Sequence, residues 1–359
     1  MEKLKLSYIL ILFFILSIGG DYMTGNHPKD KSRRIVQRFM KNYKIPGLSV
    51  TVGKSGKIIW SEGFGLADIE QNILVTTRTR FRIGSVSKIV TSAAVGRLLD
   101  QQKLDLDKEI QIYVPSFPEK RWNLTTRQAM GHLAGIRHYK GIKEFLNNKF
   151  YATVKEGLSI FESDSLLHEP GSKYQYSSYA WNLVSAVVEN TTDIDFLSYM
   201  EDTVFTALGM ESVMGEHRDS TLSPIASFYE IEKGNPILAP KVDNSYKWAG
   251  GGFVGNTRDL VDFIHNIYRS PFLSKSTLSE LQKSLQLNNG NPTGYGLGWH
   301  HYKDFWGNRI IGHGGGSVGG RAILIHYPEK DVTISLLVNS GDGGNLDRLA
   351  IRIANRFLD

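Results

Sequence analysis

The sequence predicts an α+β fold: one antiparallel sheet formed by both ends of the chain and flanked by helices, with a mostly helical sub-domain inserted. Three observations carry this. Runs of β-branched residues crowd positions 48–60 and 296–339. Between about 105 and 215 that signal fades, and helical patterns broken by Pro and Gly replace it. Length is the third, since 359 residues with 41% hydrophobic and 22% charged suffice for two sub-domains.

The elements follow in order. Met1-Glu2-Lys3-Leu4-Lys5 precedes an apolar run from Tyr8 to Ile18, with Ser17 and Gly19 as small residues ahead of a cut. This reads as a signal peptide over 1–20, or as an uncleaved anchor over 6–20, and is shorter than the roughly 20 residues of a spanning helix. Either reading exports the rest, to the periplasm or the exterior. Polar residues 21–30 form a linker. Ile35, Val36, Phe39, Met40 and Tyr43 recur at helical spacing, so 31–43 is an amphipathic helix stopped by Pro46-Gly47. Leu48–Val52 and Ile58–Trp60 are strands joined by the turn Gly53-Lys54-Ser55-Gly56, and a helix covers 86–102.

Helical patterns continue at Thr126–Leu133, Ile142–Leu146, Ala180–Glu189 and Phe196–Phe205, then at 257–268 and 276–286. Strands return at Gly296–His301, Arg309–Gly312, Ala322–Tyr327 and Val332–Asn339, the last two joined by Pro328-Glu329-Lys330-Asp331. A closing helix over 345–358 buries Leu346, Leu349, Ile353, Ala354 and Phe357. The sheet sub-domain is therefore 31–104 with 246–359, the helical insert is 105–245, and a cleft lies between them.

Composition removes several function classes. The net charge of +6 is spread among acidic residues with no Lys/Arg run, which argues against a nucleic-acid partner. Cysteine is absent, so disulfides, thiol nucleophiles, thiolate metal sites and a lipid-modified cysteine are excluded. The ten histidines show no metal-ligand spacing, and His300-His301 on a strand would face opposite ways. Neither metal nor cofactor is expected. Membrane contact is expected only through an uncut N-terminal segment, and the oligomeric state is left open.

Chemistry concentrates at Phe81-Arg82-Ile83-Gly84-Ser85-Val86-Ser87-Lys88. Positions i and i+3 share a helix face, so the Ser85 hydroxyl and the Lys88 amine become neighbours where a helix begins. Such a lysine can activate a serine nucleophile, and the helix start offers unpaired N–H groups to an oxyanion. Glu169-Pro170-Gly171-Ser172-Lys173-Tyr174-Gln175-Tyr176-Ser177-Ser178 puts Tyr176 on a turn before a helix. Ile311-Gly312-His313-Gly314-Gly315-Gly316 puts an imidazole and a glycine run at a strand end, where backbone N–H groups can approach a substrate oxygen.

Ser-x-x-Lys, Tyr-Ser-Ser and His-x-Gly in this order resemble the serine β-lactamase and penicillin-binding protein superfamily in its class C-like branch. Further family-like runs are Gly294-Tyr295-Gly296-Leu297-Gly298-Trp299 and Trp248-Ala249-Gly250-Gly251-Gly252. Tyr113–Lys120, Gly135–Tyr139 and Val242–Trp248 look like the mitochondrial-type serine β-lactamase-like proteins and their bacterial relatives. The resemblance covers roughly 31–358 and implies a β-lactamase/transpeptidase-like fold.

It also implies roles. Ser85 would be the acylated nucleophile, Lys88 and Tyr176 would share proton transfer, and the N–H groups of Ser85 and Gly316 would form the oxyanion hole. His313 stands where β-lactamases carry the lysine of Lys-Thr-Gly, and Ser178, Gly314 and Gly315 would border the substrate. Two departures matter. Ser178 replaces an asparagine that can reach a substrate amide, and His313 replaces a permanent positive charge. Both point away from efficient β-lactam hydrolysis, toward a peptidase-like enzyme acting on a small peptide, an ester or a β-lactam-like molecule. A true β-lactamase or carboxylesterase is the nearest alternative; a silent binding or assembly protein is the alternative of another class.

Three patterns compete with this set. Gly315-Gly316-Ser317-Val318-Gly319 fits a nucleophile elbow, but a strand rather than a helix follows, and His326 lies inside it. Gly314-x-Gly316-x-x-Gly319 fits a dinucleotide fingerprint without its βαβ unit. Asn123-Leu124-Thr125 and Asn190-Thr191-Thr192 are glycosylation sequons. His132 and His138 are expected to pack or hydrogen-bond locally.

Overall fold

Apolar residues on alternate positions of the terminal strands build a seven-stranded antiparallel sheet. A computed structural model describes residues 27–216 and 224–358; the predicted signal or anchor and most of the predicted linker lie outside the described residues. The strands are β1 (Gly47–Lys54), β2 (Lys57–Asp68), β3 (Ile73–Leu74), β4 (His300–Lys303), β5 (Arg309–Ser317), β6 (Gly320–Tyr327) and β7 (Val332–Val338), in spatial order β3-β2-β1-β7-β6-β5-β4. The two ends of the chain meet at the centre, where Leu48 pairs with Val338 and Lys54 with Val332.

Successive residues point to opposite faces, so each strand feeds two cores. Leu48, Val50, Val52, Ile323, Ile325, Ile334 and Leu336 pack outward against α1 (Pro28–Tyr43) and the last helix, Leu346–Ala354. Each such side chain, fully buried, stabilises by roughly 1.5–3 kcal/mol before entropy. Ala322, Leu324 and Leu337 face inward, joining one apolar cluster with Ile89 and Val90 and with Leu183 and Val187 of the helical region. Thr257–Arg269 also covers the inner face: Ser49 and Thr51 hydroxyls meet that of Thr257 at 2.9 and 2.8 Å.

Several boundaries differ from expectation for local reasons. α1 starts at Pro28, capped by His27, so it begins inside the expected linker. The strand expected at Gly296–His301 is confined to His300–Lys303, since Gly298 takes a left-handed φ of +99°. Thr126–Met130 opens with a Thr125/Gln128 capping box and ends before His132, at φ +61°. β5 runs on through Ser317, so His313 and the glycines lie within a strand rather than at its end. Short strands at Phe81–Arg82, Met214–Gly215 and Phe253–Gly255 carry too few residues for a period-2 pattern to register.

Candidate active site

The Ser85 loop and β5 touch through backbone, and glycine makes this close approach possible. Gly84 takes φ +50°, and a Cβ there would fall 2.9 Å from the Gly316 nitrogen. A Cβ on Gly315 would fall 2.1 Å from the Ile83 carbonyl oxygen. The N–H-bearing turn at Ser85 and the Gly316 backbone are thereby brought side by side, with open space over Gly316.

After a single 3-10 turn, Gly84–Val86, the chain continues as α2 (Ser87–Asp100), buried on almost every side. Burial of this helix takes Lys88 out of water completely. Its Nζ lies 3.0 Å from Ser85 Oγ and donates to the Gly250 carbonyl at 2.5 Å. Desolvation, then the nearby Lys247 charge, hold the Lys88 amine well below its ordinary value. The depression favours the neutral form, in which Nζ donates to Gly250 and offers a lone pair to the serine hydroxyl.

Tyr176 arrives from the other wall. α3 (Ser178–Thr192) is capped by Ser177, whose Oγ accepts from the Ala180 N–H at 3.1 Å and donates to the Arg137 carbonyl at 2.7 Å. The capped turn aims the preceding tyrosine at the nucleophile, and Tyr176 Oη donates to Ser85 Oγ at 2.7 Å. Burial raises this phenol, so it stays protonated. Ser85, Lys88 and Tyr176 therefore meet at one oxygen.

Two histidines expected to bond locally brace this same turn. His132 Nδ1 accepts from the Ser177 N–H and His138 Nδ1 from the Ser178 N–H, each at 3.2 Å. The His132 ring also lies 4.2 Å from that of Tyr176. Ser178 is buried at the helix start.

His313 occupies the facing wall. Its Nδ1 lies 2.5 Å from the Gly314 carbonyl, which can only accept, so Nδ1 carries the proton. Nε2 then accepts from the Tyr295 hydroxyl at 3.0 Å. Both nitrogens are engaged, and neither bonds Ser85. Desolvation, then the neighbouring His300 and Lys88, keep the ring well below the ordinary imidazole value. Ser317, the competing nucleophile, ends β5 at the hairpin into β6, and the strand after it excludes an elbow.

Sequence reasoning missed four participants: Tyr295, His300, Lys247 and the Gly250 carbonyl. Tyr295, Lys247 and Gly250 stood inside family-like runs without a role. His300 packs edge-on against His313 at 4.7 Å. Lys247 is buried with its Nζ 5.6 Å from the Phe145 ring centre, and burial brings it down to about 8. Beside it Arg82 and Glu216 form a close ion pair at 2.7 Å, and Arg82 also donates to the Val318 carbonyl. A cleft of about 510 Å³ opens beside Gly316 and Ser317, lined by the apolar Ile142, Phe145 and Leu146 and also by the charged Glu230 and Arg321. Among the described residues no cluster of three or more metal-ligating side chains occurs.

Comparison with known proteins identifies the family and the fold. The Beta-lactamase family profile matches residues 32–356, and the chain belongs to that family of serine hydrolase fold. The human "Serine beta-lactamase-like protein LACTB, mitochondrial" is 28% identical, over 91% of this chain and 79% of its own length. Among solved structures, the octameric penicillin-binding protein homologue from Pyrococcus abyssi superposes with a TM-score of 0.80 at 21% identity, covering 91% of this chain and 77% of that one. The D-stereospecific amidohydrolase from Streptomyces sp. gives 0.75 at 21% identity, covering 90% and 98%. The α+β architecture expected from the sequence is thus the β-lactamase/transpeptidase-like fold.

Proposed function

We propose that this protein is an exported serine hydrolase that cleaves amide or ester bonds through an acyl-enzyme on Ser85, in the manner of a peptidase. One observation carries the reading: a single hydroxyl oxygen sits between a buried amine at 3.0 Å and a protonated phenol at 2.7 Å. Lys88, kept neutral, takes the hydroxyl proton as Ser85 Oγ attacks the carbonyl carbon. Negative charge on the carbonyl oxygen is met by the N–H groups of Ser85 and Gly316. Tyr176 gives its proton to the leaving group and is reprotonated from Lys88. Water repeats the sequence in reverse.

The substrate class rests on charge. The tautomer fixed at His313 leaves that wall without the permanent cation that would hold a β-lactam carboxylate. The apolar wall at Ile142, Phe145 and Leu146 favours an acyl or leaving group with hydrocarbon bulk. Export rests on the lysines and apolar run at the N-terminus.

Covalent labelling tests the proposal. A fluorophosphonate should modify Ser85, Ser85→Ala should abolish labelling and lower turnover by several orders of magnitude, and Ser317→Ala should leave both intact. A panel of D-amino-acid peptides, L-peptides, short esters and nitrocefin then ranks the substrates. No label on Ser85 in the folded protein would favour the binding or assembly reading.

A further inference from the structure

We propose that the tip of the β4–β5 hairpin, Phe305-Trp306, is a lipid-binding element that seats this end of the molecule on an anionic membrane surface. Phe305 is 93% exposed and Trp306 is 66% exposed, and the two rings stand edge to face at 5.7 Å. Neither is needed to shape the turn. The buried Asp304 carboxylate accepts from the N–H groups of Trp306 and Asn308, both at 2.9 Å, and from the Asn308 side chain at 2.8 Å. Backbone bonds from Asp304 to Asn308 and from Gly307 to Asp304 close it. A rigid loop therefore displays two large aromatic side chains that the fold itself does not use.

Their place in the fold gives the occupant. Arg309 pairs with Lys303, so residues 304–308 project beyond the end of the sheet that holds the β1–β2 and β6–β7 turns. That end carries exposed Lys57, Lys303, Arg309 and Lys330. Of the acidic groups there, Asp304 is buried within the turn, Glu329 faces Arg309 at 3.8 Å and Asp331 is bonded by Arg269, leaving a positive surplus. α1 enters the fold toward the same end: Arg33 pairs with Glu62 at mid-sheet, and Met40 reaches Gly65 near the far end. The apolar run ending at Ile18 stops ten residues before Pro28.

Aromatic rings with a polar edge settle at the headgroup boundary, and lysines beside them attract anionic lipid. Gly316 pairs with Arg321 toward the opposite end, so a molecule seated on its tip keeps the Ser85 cleft turned to water.

The test uses the protein as isolated, with phosphatidylcholine vesicles that contain or lack phosphatidylglycerol, and with bromine-labelled acyl chains as quencher. Wild type should show tryptophan quenching in the anionic vesicles that disappears in Trp306→Phe, although that variant still binds. Phe305→Ser with Trp306→Ser should lower partition at least tenfold, leaving thermal unfolding and turnover of a soluble ester unchanged. Added salt should weaken the wild-type signal. Trp306 fluorescence insensitive to the brominated vesicles would overturn the proposal. So would a double variant that loses self-association while keeping its vesicle binding, which would mark the tip as a contact between copies.

Discussion

The two faces of the central sheet are built from opposite materials. Outward, Val50, Val52, Ile334 and Leu336 meet Leu349 and Ile353 in an apolar core, with the phenols of Tyr327 and Tyr302 packed among them. Inward, at the cleft, Lys88, His132, His313 and Tyr295 are all buried, and Tyr176 and His300 lie against them. Every one of these groups is moved toward its neutral form: desolvation lowers the lysine and the imidazoles and raises the phenols. His132 Nε2 and Trp299 Nε1 have no hydrogen-bond partner among the described residues. The outer face contributes stability; the inner face gives up some of it to hold an amine, depressed below its ordinary value by burial, beside a serine.

Lys88→Met breaks that contrast most sharply. It removes the proposed base, so acylation should fall by roughly 10³-fold, read by stopped-flow labelling of Ser85. It also removes a desolvated amine, so the variant should melt no lower than wild type at pH 7 despite losing the bond to Gly250. The sign follows from linkage. Folding depresses the Lys88 value below the ordinary 10.5, so between the two the unfolded chain binds a proton that the folded chain does not. Wild-type stability therefore gains from this site as pH rises toward 10.5, and Lys88→Met should lose that slope. A clear drop in melting temperature would show that the amine stabilises the fold.

Ile353→Ala attacks the other face. Truncating a fully buried isoleucine should cost about 2–5 kcal/mol by denaturant unfolding. The labelling rate of the remaining folded molecules should stay within about twofold, because Ile353 packs in the outward cluster and not in the one that holds Ile89, Val90 and Leu183. A large change in that rate would mean the two faces are coupled through the sheet.

The same contrast explains what the sequence could tell. The outer face announces itself by period: Ile35, Val36, Phe39 and Met40 mark α1, and alternating β-branched residues mark β1 and β7. Ser85, Lys88 and Tyr176 were legible because two local rules place them, an i, i+3 pair at a helix start and a residue before an N-cap. Tyr295, His300 and Lys247 obey no local rule. They meet the site through long-range pairing of β4 with β5, through the bridge of Tyr295 to His300, and through packing of Lys247 against Phe145. The glycine run misled in one respect, since Gly314–Gly316 looks like a strand end yet continues β5 to meet the Ser85 loop.

The smallest expected effect concerns His313, and it decides what the imidazoles are for. If they are neutral wedges, none should titrate in the working range: burial brings His300 and His138 down to about 4, and His313 lies well below 6.5. The acid limb of the rate profile then belongs to Lys88, with activity rising as that amine loses its proton. His313→Gln offers an amide N–H to the Gly314 carbonyl and an oxygen to Tyr295, replacing both bonds without a titrating group. Turnover of the best ester or peptide should change by less than about tenfold, roughly 1.4 kcal/mol, and the acid limb should stay where it is. A loss of more than a hundredfold in His313→Gln, with that limb flattened, would overturn the neutral-wedge role. His313 would then be moving a proton, and its bond to Tyr295 would have to open during turnover.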